Sequence, residues 1–526
     1  MGFRLVQPRA QLLGVGTLGP RSRRLRGFVR RVNPAELAEL AEREFYRLSD
    51  EEALGYSEAV NQVLSLIDQL DDVPAVTLPV RHQLRDPGHV PSEGEDPLNA
   101  FIRMCRVEGA GRGALHDIRV GVKDNIAVAG IPLTNGSRTM PYVPVEDACV
   151  IERILDAGAV IVGKLNMDDY GSAGTGEASA FGPVLNPIDR SRSAGGSSSG
   201  AGAAVASGQI DLALGVDQGG SARIPAAFCG VVSLKPTHGL IPSHGVTHID
   251  HTIDAVCPVA RTVQLVATAL DAMAGEDSRD PQWVRGVIPP SRSSEQLGGG
   301  VAGMTIGIVQ ESVEARECDP AVVAGLENAK AAWSAAGATI RQVSIPMWPV
   351  AWPIAVALIS QFAWGMAQSE GQGWGHLGRV DTEQGRHFAL SRRLEGDSFP
   401  PFYKVWMLVG RYLHERYFSE YLGKAQNLRS ALRSQVDAAL GECDLLVTPT
   451  TVGVAPPKSV PPVSEMEILA RGTTMSHNTC PFNLTGHPAL AVPSGVDDSG
   501  LPVSVQIVAP HFEDSRAIRA GRILHD

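Results

Sequence analysis

The chain has 526 residues, 44% hydrophobic and 20% charged, with a mean hydropathy of −0.01; this suits a large globular α/β domain with a smaller appendage and excludes disorder as the default. A formal net charge of −11 and an isoelectric point near 5.7 argue against nucleic-acid or anionic-membrane partners, which need clustered Lys and Arg. Seven scattered cysteines without a CxxC pair exclude a disulfide framework and a zinc knuckle, and lone cysteines such as Cys229 in AAFCGVV read as small buried hydrophobes.

Residues 1–32 read as a flexible basic terminus: no acid precedes Glu36, while Arg21, Arg23, Arg24, Arg26, Arg30 and Arg31 crowd together. A transit peptide shares this composition, but a start without structure explains it more simply. The terminus lacks the apolar core of a secretory signal and no run approaches a membrane span, so the expectation is a cytoplasmic protein. Asn33-Pro34 then opens a helix with an apolar face of Leu37, Leu40, Ala41, Phe45 and Leu48, and Ser49-Asp50-Glu51-Glu52 is a capping box for a second helix bearing Tyr56, Val60, Val63, Leu64 and Ile67. We expect a helical extension and linker over residues 33–98, its apolar stripes covering the main body or a second protomer, and hence a homodimer.

From residue 100 short β runs alternate with helices, with strands predicted over 118–123 and 159–164 and a helix over 149–157. A helix-rich middle over 319–440 precedes strands near 445–448 and 503–508, and the Ser/Pro/Gly-rich run 289–302 reads as a surface connection. The alternation predicts a large mixed central β-sheet covered on both faces by helices.

The informative stretch lies at 191–239, where Gly195-Gly196-Ser197 and Gly219-Gly220-Ser221 each lead into a small-residue helix that ends at Gly208 or Gly230. Both serines are thus expected at helix N-termini, where free N–H groups favour an oxyanion. Gln218, Gly219, Gly220 and Ser221 are the candidate donors of an oxyanion hole. A serine nucleophile needs a base, and no GxSxG elbow is present. Lys123 ends the apolar run Val120-Gly121-Val122, so burial would favour its neutral amine. The residues alone leave a catalytic base and a structural ion pair with Asp124 equally open.

The elements GVKDNI (121–126), NPIDRSRSAGGSSSG (186–200), DQGGSARIPAAFCG through KPTHG (217–239), NTCPFNLTGHPALAVPSG (478–495) and LPVSVQIVAP (501–510) closely resemble the amidase signature family. The resemblance implies its fold, a catalytic domain over 99–526 and no cofactor. It also implies a Ser-cisSer-Lys triad in which Ser221 attacks, Ser197 relays the proton across a cis peptide with Gly196, and Lys123 accepts it. Ser198 supports the network, and Asp217 with Arg223 fixes the nucleophile loop by a salt bridge. Gln218, the phrase KPTHGLIP, the GKAQNL segment and the helical extension look similar to nitrile-pathway amidases, while Ala222 and Ser233 depart from the usual pattern. Pocket candidates are Gly171, Ser172, Ala173, Gly174 and Thr175, with the aromatic segment 348–374.

The expected activity is hydrolysis of a small-molecule carboxylic amide through an acyl-enzyme. Carbamates, aryl amides or hydrazides are alternative substrates. A tRNA-dependent amidotransferase component releasing ammonia is disfavoured, because the extension and the Gln218 loop match stand-alone enzymes better. His238, His244, His248, Asp250 and His251 lie close in sequence but lack a zinc-ligand spacing, so no metal is expected.

Overall fold

The computed structural model describes residues 29–525, except 75, 77, 140, 281–291, 375–377 and 460–463. The basic run before residue 29 and the first part of the 289–302 connection lie outside the described residues. Two compact units divide the chain, one ending at Leu78 and the other starting at Pro79.

In the first unit, helices Pro34–Arg43 and Asp50–Ile67 both open with capping boxes, in which Asn33 pairs with Glu36 and Ser49 with Glu52. The two helices bury little, Ala53 and Ser57 being the buried residues of the second, while Leu40, Tyr56 and Val63 remain exposed; the first helix ends at Arg43, so Phe45 and Leu48 lie beyond it and do not extend its apolar face, Phe45 being exposed at positive φ. The boundary falls at 78/79 rather than 98/99 because residues 85–89 are not linker: they pair antiparallel with 101–107 and join the sheet.

The second unit is built on twelve strands: β1 Arg85–His89, β2 Phe101–Val107, β3 Arg119–Lys123, β4 Val160–Leu165, β5 Leu212–Asp217, β6 Val232–Lys235, β7 Ala255–Ala260, β8 Thr305–Val309, β9 Thr339–Val343, β10 Leu445–Pro449, β11 Ala489–Val496 and β12 Pro502–Val508. They form one mixed sheet in the order β1-β2-β4-β3-β5-β7-β6-β11-β12-β10-β8-β9. β3 runs parallel to β4 and β5, and β8 parallel to β9 and β10, while the other neighbours are antiparallel.

Period-two alternation decides which face each side chain meets. Val120, Val122, Leu212, Leu214, Val505 and Ile507 pack with helices Cys149–Asp156, Val263–Met273, Pro320–Ala335 and Asp514–Leu524 in one core. The opposite face carries helices Ser199–Ala206 and Arg223–Cys229 over Ala213 and Leu165, and helices Ala351–Gln368, Glu420–Glu442 and Cys480–Thr485 over Leu446 and Val508. Lys123 and Gln506, out of phase with their valine neighbours, therefore point into that second face.

Contrary to the expectation that no apolar run reaches span length, residues Trp348–Gln368 are long and apolar enough to cross a membrane. Two-thirds of that stretch is buried inside the protein, and Ile354, Leu358, Phe362 and Ala363 pack into the second-face core, so its apolarity reflects burial within the fold. All seven cysteines are free; six are buried and Cys318 is half-buried.

Candidate active site

Lys123 ends β3 and is 2% exposed. Its Nζ lies 2.8 Å from Ser197 Oγ and donates to the Val216 carbonyl at 3.2 Å. Burial pulls the lysine pKa down to about 8, against the opposing pull of Asp168, Asp217 and Asp254. Asp124 is engaged elsewhere: it accepts the Thr134 N–H at 2.8 Å and lies 3.4 Å from Lys164 Nζ. The simple Lys123–Asp124 ion pair is therefore absent among the described contacts.

The Gly196–Ser197 peptide is cis. A Cβ at Gly196 would run into the Asp168 carboxylate, so the tight approach requires glycine. Asp168 accepts the N–H groups of Gly176 and Ala178 at 2.9 Å each and donates its own N–H to the Ser197 carbonyl at 3.1 Å. Burial raises the Asp168 pKa, those donors and Lys123 opposing it. Ser198 Oγ donates to the Val216 carbonyl at 3.2 Å and accepts the Val216 N–H at 3.3 Å, while its backbone N–H donates to the Ser221 carbonyl at 2.9 Å. Ser198 thus ties the Ser197 loop to the end of β5 and to the Ser221 loop.

Asp217 closes β5 and organises the second loop, accepting the N–H groups of Gly220, Ala222 and Arg223 at 2.8, 3.2 and 3.3 Å. Arg223, fully buried, reaches the same carboxylate through Nε and Nη2 at 2.9 Å each, and donates to Gln506 at 2.8 Å and Asn483 at 2.6 Å. Burial would push the Asp217 carboxyl up, but the Arg223 guanidinium outweighs it and holds the group well below the usual carboxylate range. Asn483 Nδ2 completes the network by donating to the Asp217 carbonyl at 3.0 Å.

This loop revises one expectation. The Gly220 N–H is already given to Asp217 and is not a free oxyanion donor. Gly220 sits at φ +127°, and a Cβ there would strike the Thr479 side chain. Among the described residues, the N–H groups of Gln218, Gly219 and Ser221 have no protein acceptor.

Ser221 stands between two cavities. The larger, a cleft of about 1330 Å³ open to solvent, is lined by Lys123, Ser197, Gln218 and Ser221, with His244, His248 and His251, and aromatic Tyr170, Phe388 and Tyr403. The smaller, about 520 Å³, is lined by Gly171, Ser172, Ala173, Gly174, Gln218, Gly219 and Ser221 against Trp352, Ile359 and Trp406. Thr175, grouped with these pocket residues in the sequence, lines neither: it is fully buried and its carbonyl accepts the Ser193 hydroxyl at 2.6 Å. Within the aromatic segment, Trp352 reaches the pocket, whereas Trp348 is core, edge-on to Phe482.

Sequence reasoning missed Asp168, Asn483, Gln506 and Trp406. A signal existed for Gln506, a polar residue inside the apolar strand VSVQIV. No motif marked Asp168, although its N–H donors Gly176 and Ala178 are near in sequence, and nothing local marked Trp406, whose indole donates to the Ser172 carbonyl 234 residues away. His248 Nδ1 lies 3.3 Å from Asp254, but among the described residues the 238–251 run gathers no three-ligand metal set.

A large mixed sheet buries a lysine against a serine loop, and any chemistry must be argued from that loop and not from the sheet itself. The family model described as Amidase matches residues 103–518, and the chain belongs to that family, the amidase signature enzymes. It is 39% identical over 433 residues, 81% of this chain and 99% of the relative, to a glutamyl-tRNA(Gln) amidotransferase subunit from Natronomonas pharaonis. The crystal structure of the glutamyl-tRNA(Gln) amidotransferase subunit from Thermotoga maritima superposes with a TM-score of 0.67 at 29% identity, covering 82% of this chain and 87% of that one. A peptide amidase from Stenotrophomonas maltophilia gives 0.65 at 28% identity over 78% and 83% of the two chains.

Proposed function

We propose that the protein hydrolyses a small-molecule carboxylic amide through a Ser221 acyl-enzyme, releasing ammonia or an amine. The observation that carries this reading is the buried 2.8 Å contact between Lys123 Nζ and Ser197 Oγ, with Ser197 and Ser221 lining one cleft. Ser221 Oγ attacks the carbonyl carbon as its proton passes to Ser197 and that of Ser197 passes to neutral Lys123. The N–H groups of Gln218, Gly219 and Ser221 receive the oxyanion, a type of interaction worth about 3 kcal/mol per donor in the transition state. Lys123 returns the proton through Ser197 to the leaving nitrogen, and water then cleaves the ester by the same route. The exposed apolar residues Leu40, Phe45, Tyr56 and Val63 support a homodimer.

The names of the relatives favour a second reading, in which the chain is the ammonia-releasing component of an amidotransferase. Supporting the stand-alone reading is the helical unit, which precedes the family-matched residues. Ammonia release by the purified chain from glutamine and from a panel of other amides tests both. Turnover of simple amides by the chain alone supports the stand-alone enzyme, glutamine turnover only with added partner chains supports the other, and turnover undiminished in Ser221→Ala overturns the chemistry common to both.

A further inference from the structure

Away from both cavities, Asp437, His487 and His511 bring one potential ligand atom each within 4.8 Å of the others. His487 lies just before β11 and His511 just after β12, and the pairing of Ala489 with Val508 sets those two ends side by side. Asp437 comes from helix Glu420–Glu442. His487 Nε2 is 2.9 Å and His511 Nδ1 is 3.9 Å from the same oxygen, Asp437 Oδ1.

The opposite ring nitrogens are both held by Thr485. His511 Nε2 is 3.1 Å from the Thr485 carbonyl, which only accepts, so that nitrogen carries the hydrogen and Nδ1 turns a lone pair toward Asp437. His487 Nε2 is 2.9 Å from the Asp437 carboxylate, which only accepts, so that nitrogen carries the hydrogen that a metal would displace, and His487 Nδ1 accepts from the Thr485 hydroxyl at 2.9 Å. Each imidazole thus has its second nitrogen oriented by a hydrogen bond, as ligating histidines almost always do. A cation between the His511 Nδ1 lone pair and the carboxylate oxygen 3.9 Å away would be bound by both. With bonds of about 2.0–2.2 Å to each ligand, one ion bridges donor atoms up to about 4 Å apart. His487 is fully buried, while half of the Asp437 side chain is exposed, leaving a solvent side for entry and for a water ligand.

We propose that Asp437, His487 and His511 form a binding site for a divalent transition metal of the zinc class, separate from the catalytic cleft. Two imidazoles and a carboxylate suit zinc, cobalt, nickel or copper better than calcium or magnesium. The site joins helix Glu420–Glu442 to the β11–β12 pair, so its role is to fasten that half of the sheet. Arg433, 3.8 Å from Asp437, and Lys235 oppose a cation and weaken the site.

The test uses the full chain, stripped by chelator and dialysed, titrated with Co²⁺ alone and then with Zn²⁺ in competition. Expected are one equivalent of saturable binding, visible d–d absorption of low-coordinate Co²⁺, and a melting temperature raised by Zn²⁺. Asp437→Asn and His511→Gln should each weaken binding at least tenfold and abolish the thermal shift, and Arg433→Gln should tighten it several-fold. If a ligand variant fails to fold, the Arg433→Gln comparison still decides. No saturable binding by the folded wild type, or binding unaltered by every one of these substitutions, overturns the site and leaves a hydrogen-bonded Asp–His–Thr cluster.

Discussion

Lys123→Arg gives the sharpest test of the base. A lysine of pKa about 8 is neutral in roughly a tenth of molecules at pH 7, against about one in three thousand at the ordinary value near 10.5. Burial therefore raises the supply of free amine roughly three-hundredfold. The sign follows: as pH rises the ammonium loses its proton and the base appears, so kcat/KM for a neutral amide should climb tenfold per pH unit below pH 8 and level above it. Initial rates of ammonia release between about pH 6 and 9.5 at constant ionic strength measure this. Lys123→Arg should abolish both limb and activity, because a guanidinium stays protonated. Histidine must be set apart: burial lowers the His248 pKa, but Asp254 outweighs it and the net shift is upward from 6.5, so a limb due to that residue would vanish in His248→Gln. The same burial costs the fold on the order of 3 kcal/mol at pH 7, a penalty that fades as pH rises from about 8 to 10.5. Lys123→Met should accordingly be inactive yet melt higher than wild type at pH 7. Substantial activity of Lys123→Arg with the wild-type pH profile would refute the assignment.

Ser221→Ala should fold normally and lose several orders of magnitude in kcat, while a serine-reactive probe labels the wild type at that residue alone. Arg223→Met strands the buried Asp217 carboxylate and should cost about 3–5 kcal/mol, read as a lower urea midpoint; a change under about 1 kcal/mol would mean the pair does not organise the loop. Removing residues 1–78 should convert a dimer to a monomer or an aggregate in light scattering, and an unaltered mass and stability would sink the homodimer. Chelation at temperatures well below melting should leave hydrolysis unchanged, since the proposed metal site lies outside the cleft; loss restored by zinc would place a metal in the chemistry.

The sequence alone determined the parts that depend on neighbours in the chain. Asn33 with Glu36 and Ser49 with Glu52 cap helices because capping joins residues three apart, and the two Gly-Gly-Ser runs precede helices Ser199–Ala206 and Arg223–Cys229 by one or two residues, with Gly208 and Gly230 after them at positive φ. Its ordered motifs were specific enough to mark the family. Tertiary structure decided what depends on partners far along the chain. That Lys123 meets Ser197, 74 residues away, follows from β3 alternation placing its side chain on the helix-covered face beside the Ser197 loop. That Asp217 takes the Gly220 N–H, with Arg223 tied to Asn483 and Gln506 some 260 and 283 residues on, is a consequence of sheet order. Residues 79–98 looked like linker because Pro, Asp and His hide a short edge strand whose pairing supplies what its propensity lacks. The apolar helix over 351–368 looks the same in water or in lipid by composition, and only its packing under Glu420–Glu442 and Cys480–Thr485 shows which apolar surroundings it meets.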